Sequence, residues 1–104
     1  MKAIMLKPKW ANLIADGVKT LETRSWATRY RGPIIIAASQ PQGETVCTAE
    51  IVNCRKMIKE DEKASCVDFS PLLFVFELQN IQLVKPEKIK GKLGIFEFEG
   101  NHDQ

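Results

Sequence analysis

One segment near the amino terminus concentrates the side chains that can do chemistry: Gly17-Val18-Lys19-Thr20-Leu21-Glu22-Thr23-Arg24, running on through Ser25-Trp26 into Arg29-Tyr30-Arg31-Gly32-Pro33. Its threonines suit a strand better than a helix. Alternate residues of a strand share a face, so Thr20, Glu22, Arg24 and Trp26 point one way and Leu21, Thr23 and Ser25 the other. Glu22 and Arg24 then stand about 6.6 Å apart along the axis, a gap an arginine spans. Such a pair has two readings. It is a surface ion pair worth roughly 0–1 kcal/mol, or it is an orienting pair, in which the carboxylate holds the guanidinium and leaves its other donors for a phosphate or a base edge. Lys19, at the mouth of the strand, supplies a second positive point. It is equally an amine whose pKa a cleft can lower until it works as base or nucleophile beside Glu22.

Trp26, Arg29, Tyr30 and Arg31 interleave aromatic faces with guanidinium groups. This is the material of single-stranded nucleic-acid platforms, where each stacked base is worth ~1–3 kcal/mol. The competing reading has Trp26 plugging one end of a barrel and the arginines solvated. Trp10 and Ser39 complete the set of candidate ligand-contacting residues. Ser39 has no G-x-S-x-G context, which argues against a hydrolase serine. Lys85, Lys88, Lys90 and Lys92 share a Pro/Gly loop, either a soluble turn or a contact for backbone phosphates. Glu50 and Glu77 each interrupt an apolar strand, as barrel-face residues or as cleft carboxylates. His102, alone in the tail, is incidental.

The elements that must position these residues are short. Ala3–Leu6 reads as a buried strand. Pro8 suits the first turn of a helix, where its missing N–H is not needed. Trp10, Leu13 and Ile14 form one apolar face at i, i+3 and i+4. Gly17 ends this helix, which runs from about Pro8 to Asp16, as a left-handed cap. Strands are expected at Lys19–Trp26, Pro33–Ser39, Thr45–Cys54, within Leu72–Val84, and at Gly94–Phe98. In the third of these, Cys47, Ala49 and Ile51 alternate with Val46, Thr48, Glu50 and Val52. Residues 55–70 read as an irregular excursion with a helical turn, able to act as a flap, and 101–104 as a frayed tail. Five or six strands with one or two short helices make a mainly β, α+β domain: a small mixed barrel, closed against edge-to-edge aggregation.

The bulk composition fits one such domain. The chain has 104 residues and is 44% hydrophobic, enough for a core and too much for disorder. A formal net charge of +2 argues for no partner by itself. Its distribution is more telling. Residues 1–35 carry seven Lys/Arg against two Asp/Glu, a net of +5, and residues 36–104 carry eight against eleven, a net of −3. A positive amino-terminal third concentrates phosphate near it. Cys47, Cys54 and Cys66 have neither CxxC spacing nor a neighbouring histidine, which speaks against a disulfide framework and a zinc site and for reduced thiols in the cytoplasm. No metal or cofactor is expected, and no apolar run approaches the ~18 residues of a membrane span.

Taken in order, three motifs resemble a known family. Pro8-Lys9-Trp10-Ala11-Asn12-Leu13-Ile14, Gly17-x-Lys19-x-x-Glu22-x-Arg24 and Arg29-Tyr30-Arg31-Gly32-Pro33, with Gly91-Lys92-Leu93-Gly94-Ile95-Phe96 as a closing strand, are similar to the activating-signal-cointegrator homology (ASCH) domain of the PUA-like superfamily. The resemblance implies a five- or six-stranded PUA-like barrel with a nucleotide-sized cleft lined by the GxKxxExR segment. It implies binding of RNA, other single-stranded nucleic acid or a nucleoside as the leading function. Larger members use the domain as a nucleic-acid-binding accessory. Among small bacterial members, one group removes the acetyl group from N4-acetylcytidine, and a ribonuclease activity is also assigned. In the amidohydrolase group the motif lysine is catalytic together with a threonine and a later glutamate. Lys19 matches that lysine, Glu22 stands where the threonine would, and Glu60 or Glu62 are the candidates for the glutamate.

Overall fold

The computed structural model describes residues 1–100. The expected tail, His102 included, lies outside the described residues. Six strands and two short helices follow one another as β1 (Lys2–Leu6), α1 (Pro8–Ala15), β2 (Leu21–Arg24), β3 (Gly32–Ala38), β4 (Glu44–Lys56), a 3-10 turn (Lys59–Asp61), α2 (Glu62–Ser65), β5 (Phe74–Leu83) and β6 (Ile95–Glu97). All six strands join one mixed sheet in the order β2-β5-β4-β3-β1-β6. Among the described residues, only the β1–β3 ladder is parallel.

The sheet curls into a half-barrel. Its ladders carry the irregularities that bend strands: one register shift between Ile36 and Ala37 in the β3–β4 pair, and two in the β4–β5 pair. Hydrogen-bonded closure is incomplete, because β2 and β6 remain edge strands. Both are very short, four and three residues, which limits the template they offer another chain. Just before β2, Thr20 N–H donates to the Ala64 carbonyl of α2 at 2.9 Å.

Each strand follows from its composition. The Ile34-Ile35-Ile36-Ala37-Ala38 run is buried throughout because β3 lies inside the sheet with cover on both faces. Ile34 and Ile36 join Ala11 and Ile14 of α1 in the main core, whereas Ile35 and Ala37 join Ile89 and Phe96 in a second one. Pro33 fits at the start of β3, opposite Glu50 of β4 and before β1 begins to pair at Ile35. In β4, Cys47, Ala49 and Ile51 are buried and their neighbours less so, the alternation the sequence predicts. β4 continues two residues beyond Cys54, so Arg55 and Lys56 pair with Val75 and Phe74. The excursion therefore begins at Met57. It packs inward, with Met57, Leu21 and Val75 forming a third small cluster.

Candidate functional site

The turn after α1 sets the site. Gly17 takes a positive φ of 79°, a conformation glycine adopts without steric cost. Val18 and Lys19 N–H groups both donate back to the Leu13 carbonyl, at 3.0 and 3.1 Å. This reversal sends the Lys19 side chain inward under Trp10, with Nζ 5.1 Å from the ring centroid. Lys19 is 1% exposed. Its ammonium donates to the Ser65 carbonyl of α2 and lies 3.6 Å from Glu22 Oε1. Burial pulls its pKa below the ordinary lysine value, while Glu22 pulls it the other way.

Glu22 is thus held between two cations. Its other oxygen, Oε2, accepts from Arg24 Nε at 2.8 Å. Arg24 Nη2 in turn donates to the Met5 carbonyl at 2.6 Å. β2 and β1 stand far apart in the strand order, so this bond crosses the gap that the curled sheet leaves open. A side chain closes the half-barrel where no backbone ladder does. With two donors committed, three of the five N–H groups of Arg24 have no partner among the described residues.

A cleft of about 390 Å³ opens at this seam, lined by Trp10, Glu22, Arg24 and Ser39 with Met5, Leu6, Lys7 and Thr23. That volume lies within the range of small-ligand sites. One wall therefore offers a carboxylate beside a guanidinium, another offers an indole, and Ser39 adds a hydroxyl.

The residues singled out from the sequence divide accordingly. Trp10, Glu22, Arg24 and Ser39 meet in the cleft. Lys19 does not line it and stands directly behind Glu22. The strand expected to reach Trp26 ends at Arg24, so Trp26 lies in the bend beyond β2, with the Arg24 guanidinium 5.9 Å from its ring centroid. Its ring packs edge-on against Phe76 at 5.3 Å between centroids, so Trp26 supports the core rather than the cleft. Tyr30 donates its hydroxyl to the Pro33 carbonyl at 2.6 Å, and Arg31 folds back onto the Thr28 and Tyr30 carbonyls. Arg29 and Arg31 are exposed and neither lines the cleft.

The other acidic candidates lie elsewhere. Glu77 accepts from Arg55 Nε at 2.7 Å, Glu62 accepts from Phe69 N–H and Lys59, and Glu50 sits in the β3–β4 ladder opposite Pro33. Cys47 is buried, and burial pushes its thiol up to about 11, far from a reactive thiolate. Among the described residues, no three His, Cys, Asp or Glu side chains gather as a metal site would require, and no helix is long and apolar enough to cross a membrane.

Two contributors carry no signal in the sequence. The Ser65 carbonyl is a backbone group 46 residues away from Lys19. Asp61, 6% exposed, forks onto Arg55 at 2.8 and 2.9 Å and so fixes the excursion that carries Ser65.

Solved structures share this architecture. The crystal structure of ASCH from Zymomonas mobilis superposes with a TM-score of 0.79 at 15% identity, covering 94% of this chain and 87% of that one. A tyrosine-to-phenylalanine mutant of that protein gives 0.74 at 16% over 94% and 89%, and a serine-to-alanine mutant 0.70 at 16% over 94% and 87%. No curated protein matches the chain significantly in sequence. The family model of the ASCH domain matches residues 4–95, nearly the whole chain, and the protein belongs to the ASCH domain family.

Proposed function

We propose that this domain binds single-stranded nucleic acid, RNA foremost, by taking a nucleotide into the cleft at the barrel seam. The observation that carries the reading is the Glu22–Arg24 pair, locked at 2.8 Å on the cleft wall with three guanidinium donors uncommitted among the described residues. A fixed guanidinium meets phosphate or a base edge without first losing rotamer freedom. Trp10 supplies the flat apolar surface for the base. Lys19 acts through Glu22: its buried ammonium holds one carboxylate oxygen while Arg24 takes the other. Lys19 is a positioning residue.

The test is a titration of a fluorescently labelled RNA oligonucleotide at two salt concentrations, with circular dichroism to verify folding of each variant. Arg24→Ala weakens binding by about ten- to a hundredfold, the cost of one good arginine contact at ~1–3 kcal/mol. Trp10→Ala weakens it comparably. Saturable binding that ignores both substitutions would remove the cleft from the account.

The hydrolytic alternative, an amidohydrolase acting on N4-acetylcytidine or a ribonuclease, draws on one observation: a desolvated lysine of lowered pKa beside a carboxylate. The same geometry counts against it. The amine is capped by the Ser65 carbonyl and stands behind the cleft wall, so the excursion must withdraw before Lys19 touches a substrate. Incubation with acetylated cytidine, and separately with RNA, decides the matter. Turnover lost in Lys19→Met would establish the enzyme and displace the binding module.

A further inference from the structure

The cleft is not isolated. Met5 and Ser39 line it on one side and on the other line a second concavity of about 640 Å³, completed by Ile89, Gly91, Leu93 and two lysines, Lys90 and Lys92. Gln40, Ile89 and Lys90 then pass into a third of about 500 Å³, which runs along 40–44 and ends at Lys88. Three hollows, each of small-ligand size, thus follow one another from Arg24 across the end of β3 to the lysine loop.

Their chemistry is graded. The middle hollow has an apolar floor of Met5 and Ile89 and an apolar rim residue, Leu93, that is 98% exposed. Gly91 packs closely on Met5, since a Cβ there would stand 3.0 Å from Met5 Cγ. The third hollow is more polar, with Gln40, Gln42 and Glu44 on its walls. Lysines edge all three: Lys7 at the first hollow, Lys90 and Lys92 at the second, Lys88 at the third. All four are exposed, and none takes part in an ion pair of the described residues. Among the described residues, Glu44 is the one carboxylate lining the third hollow. An apolar floor with a cationic edge is complementary to a polyanion whose flat rings face inward and whose charges face out.

We infer that the three hollows form a continuous track for a single strand of at least three nucleotides, entering at the Trp10–Arg24 cleft and leaving over the Lys88–Lys92 loop. The ligand class is accordingly an oligonucleotide rather than a free nucleoside. This rests on the cleft reading above, and length dependence separates the two. Dissociation constants are measured by calorimetry for the 104-residue protein against a mononucleotide and against RNA and DNA oligomers of two to six residues, which also identifies the sugar preferred.

The expected result is about a tenfold gain in affinity for each of the first two nucleotides added, then a plateau. In Lys90→Ala/Lys92→Ala, two exposed changes on a loop, a trimer binds no better than a mononucleotide. If the mononucleotide already has the full affinity and Arg24→Ala still removes it, the track is wrong and the cleft stands. If the gain with length survives the double lysine change, the strand runs elsewhere and the track is wrong. If neither mononucleotide nor oligomer binds, the cleft reading falls, and the track with it.

Discussion

Glu22 is the residue on which the site turns. It is 6% exposed and holds Lys19 and Arg24 on its two oxygens. Removing the charge of one member of a buried ion pair costs far more than the pair contributes, because it strands the other charge in a poor solvent. Glu22→Gln leaves the Lys19 ammonium buried beside a neutral amide, and unfolding in urea is expected to show a loss of about 3 kcal/mol. Lys19→Met is milder. Glu22 keeps Arg24, and the main loss is the donor to the Ser65 carbonyl, about 1–3 kcal/mol. The reverse order would mean that the lysine, not the carboxylate, organises the site. The lysine also has a pH signature. Its folded-state pKa lies below the ordinary value of 10.5, so the unfolded chain holds the proton more tightly. The protonated form therefore costs stability at neutral pH, and that cost is relieved as pH rises through the folded pKa towards 10.5. Native stability should climb over that alkaline window relative to Lys19→Met. A flat difference between the two proteins would show that Glu22 fully offsets the burial.

At the scale of elements, the excursion between β4 and β5 matters because its Ser65 carbonyl caps Lys19. It is fastened from the strands: Arg55 of β4 takes Glu77 of β5 through Nε and Asp61 through both terminal nitrogens, while Asp61 also accepts Ile58 N–H at 2.9 Å. The Arg55 bonds hold the Asp61 carboxyl below its ordinary value of 3.8. A depressed carboxylate stabilises fully above its unfolded pKa and loses that contribution as pH falls through the folded one. Asp61→Asn should thus lower stability by about 2 kcal/mol at pH 7, the scale of a charge-assisted hydrogen bond, and the gap from the wild type should close as pH drops below 3.8. Amide exchange should rise first in residues 57–73. Equal protection there in both proteins would show that the cluster of Met57, Leu21 and Val75 holds the excursion unaided. These fastenings mark the limit of what the sequence shows. The helix at Pro8, the Ile34–Ile36 strand and the alternation in β4 are local patterns, and they are legible because burial imposes a period on them. The strand stops short of Trp26, but the pairing of Glu22 with Arg24 on one strand face is legible for the same reason. The burial of Lys19 is not, since nothing near a lysine in sequence announces a carbonyl from α2 above it. Nor is the division of labour between the two tryptophans: Trp10 lines the cleft and Trp26 packs on Phe76, a difference set by the curl of the sheet rather than by neighbouring residues.

For the molecule as a whole, the question is what a small net charge can do. At +2 overall the protein exerts little long-range pull on a polyanion, and ions screen what there is beyond about 10 Å. Attraction must come from cations placed in contact with the strand. The curl achieves this: it draws β2 to β1, where Arg24 reaches the Met5 carbonyl, and it sets the lysine loop along the groove that leads away from that seam. Contacts, not net charge, then fix the response to salt. If Arg24, Lys90 and Lys92 each neutralise one phosphate, the slope of log affinity against log salt is about −2, so a tenfold rise in salt weakens oligonucleotide binding about 100-fold. Lys90→Ala/Lys92→Ala should reduce that slope to about −0.7, the share of Arg24 alone. An unspecific basic surface behaves differently. Its slope would respond equally to loss of Arg29 and Arg31, which are exposed and lie outside the groove. The decisive comparison is therefore the slope of the double lysine variant against that of Arg29→Ala/Arg31→Ala: a change confined to the first pair places the strand in the groove, and equal changes in both would mean that phosphate is held by the surface at large.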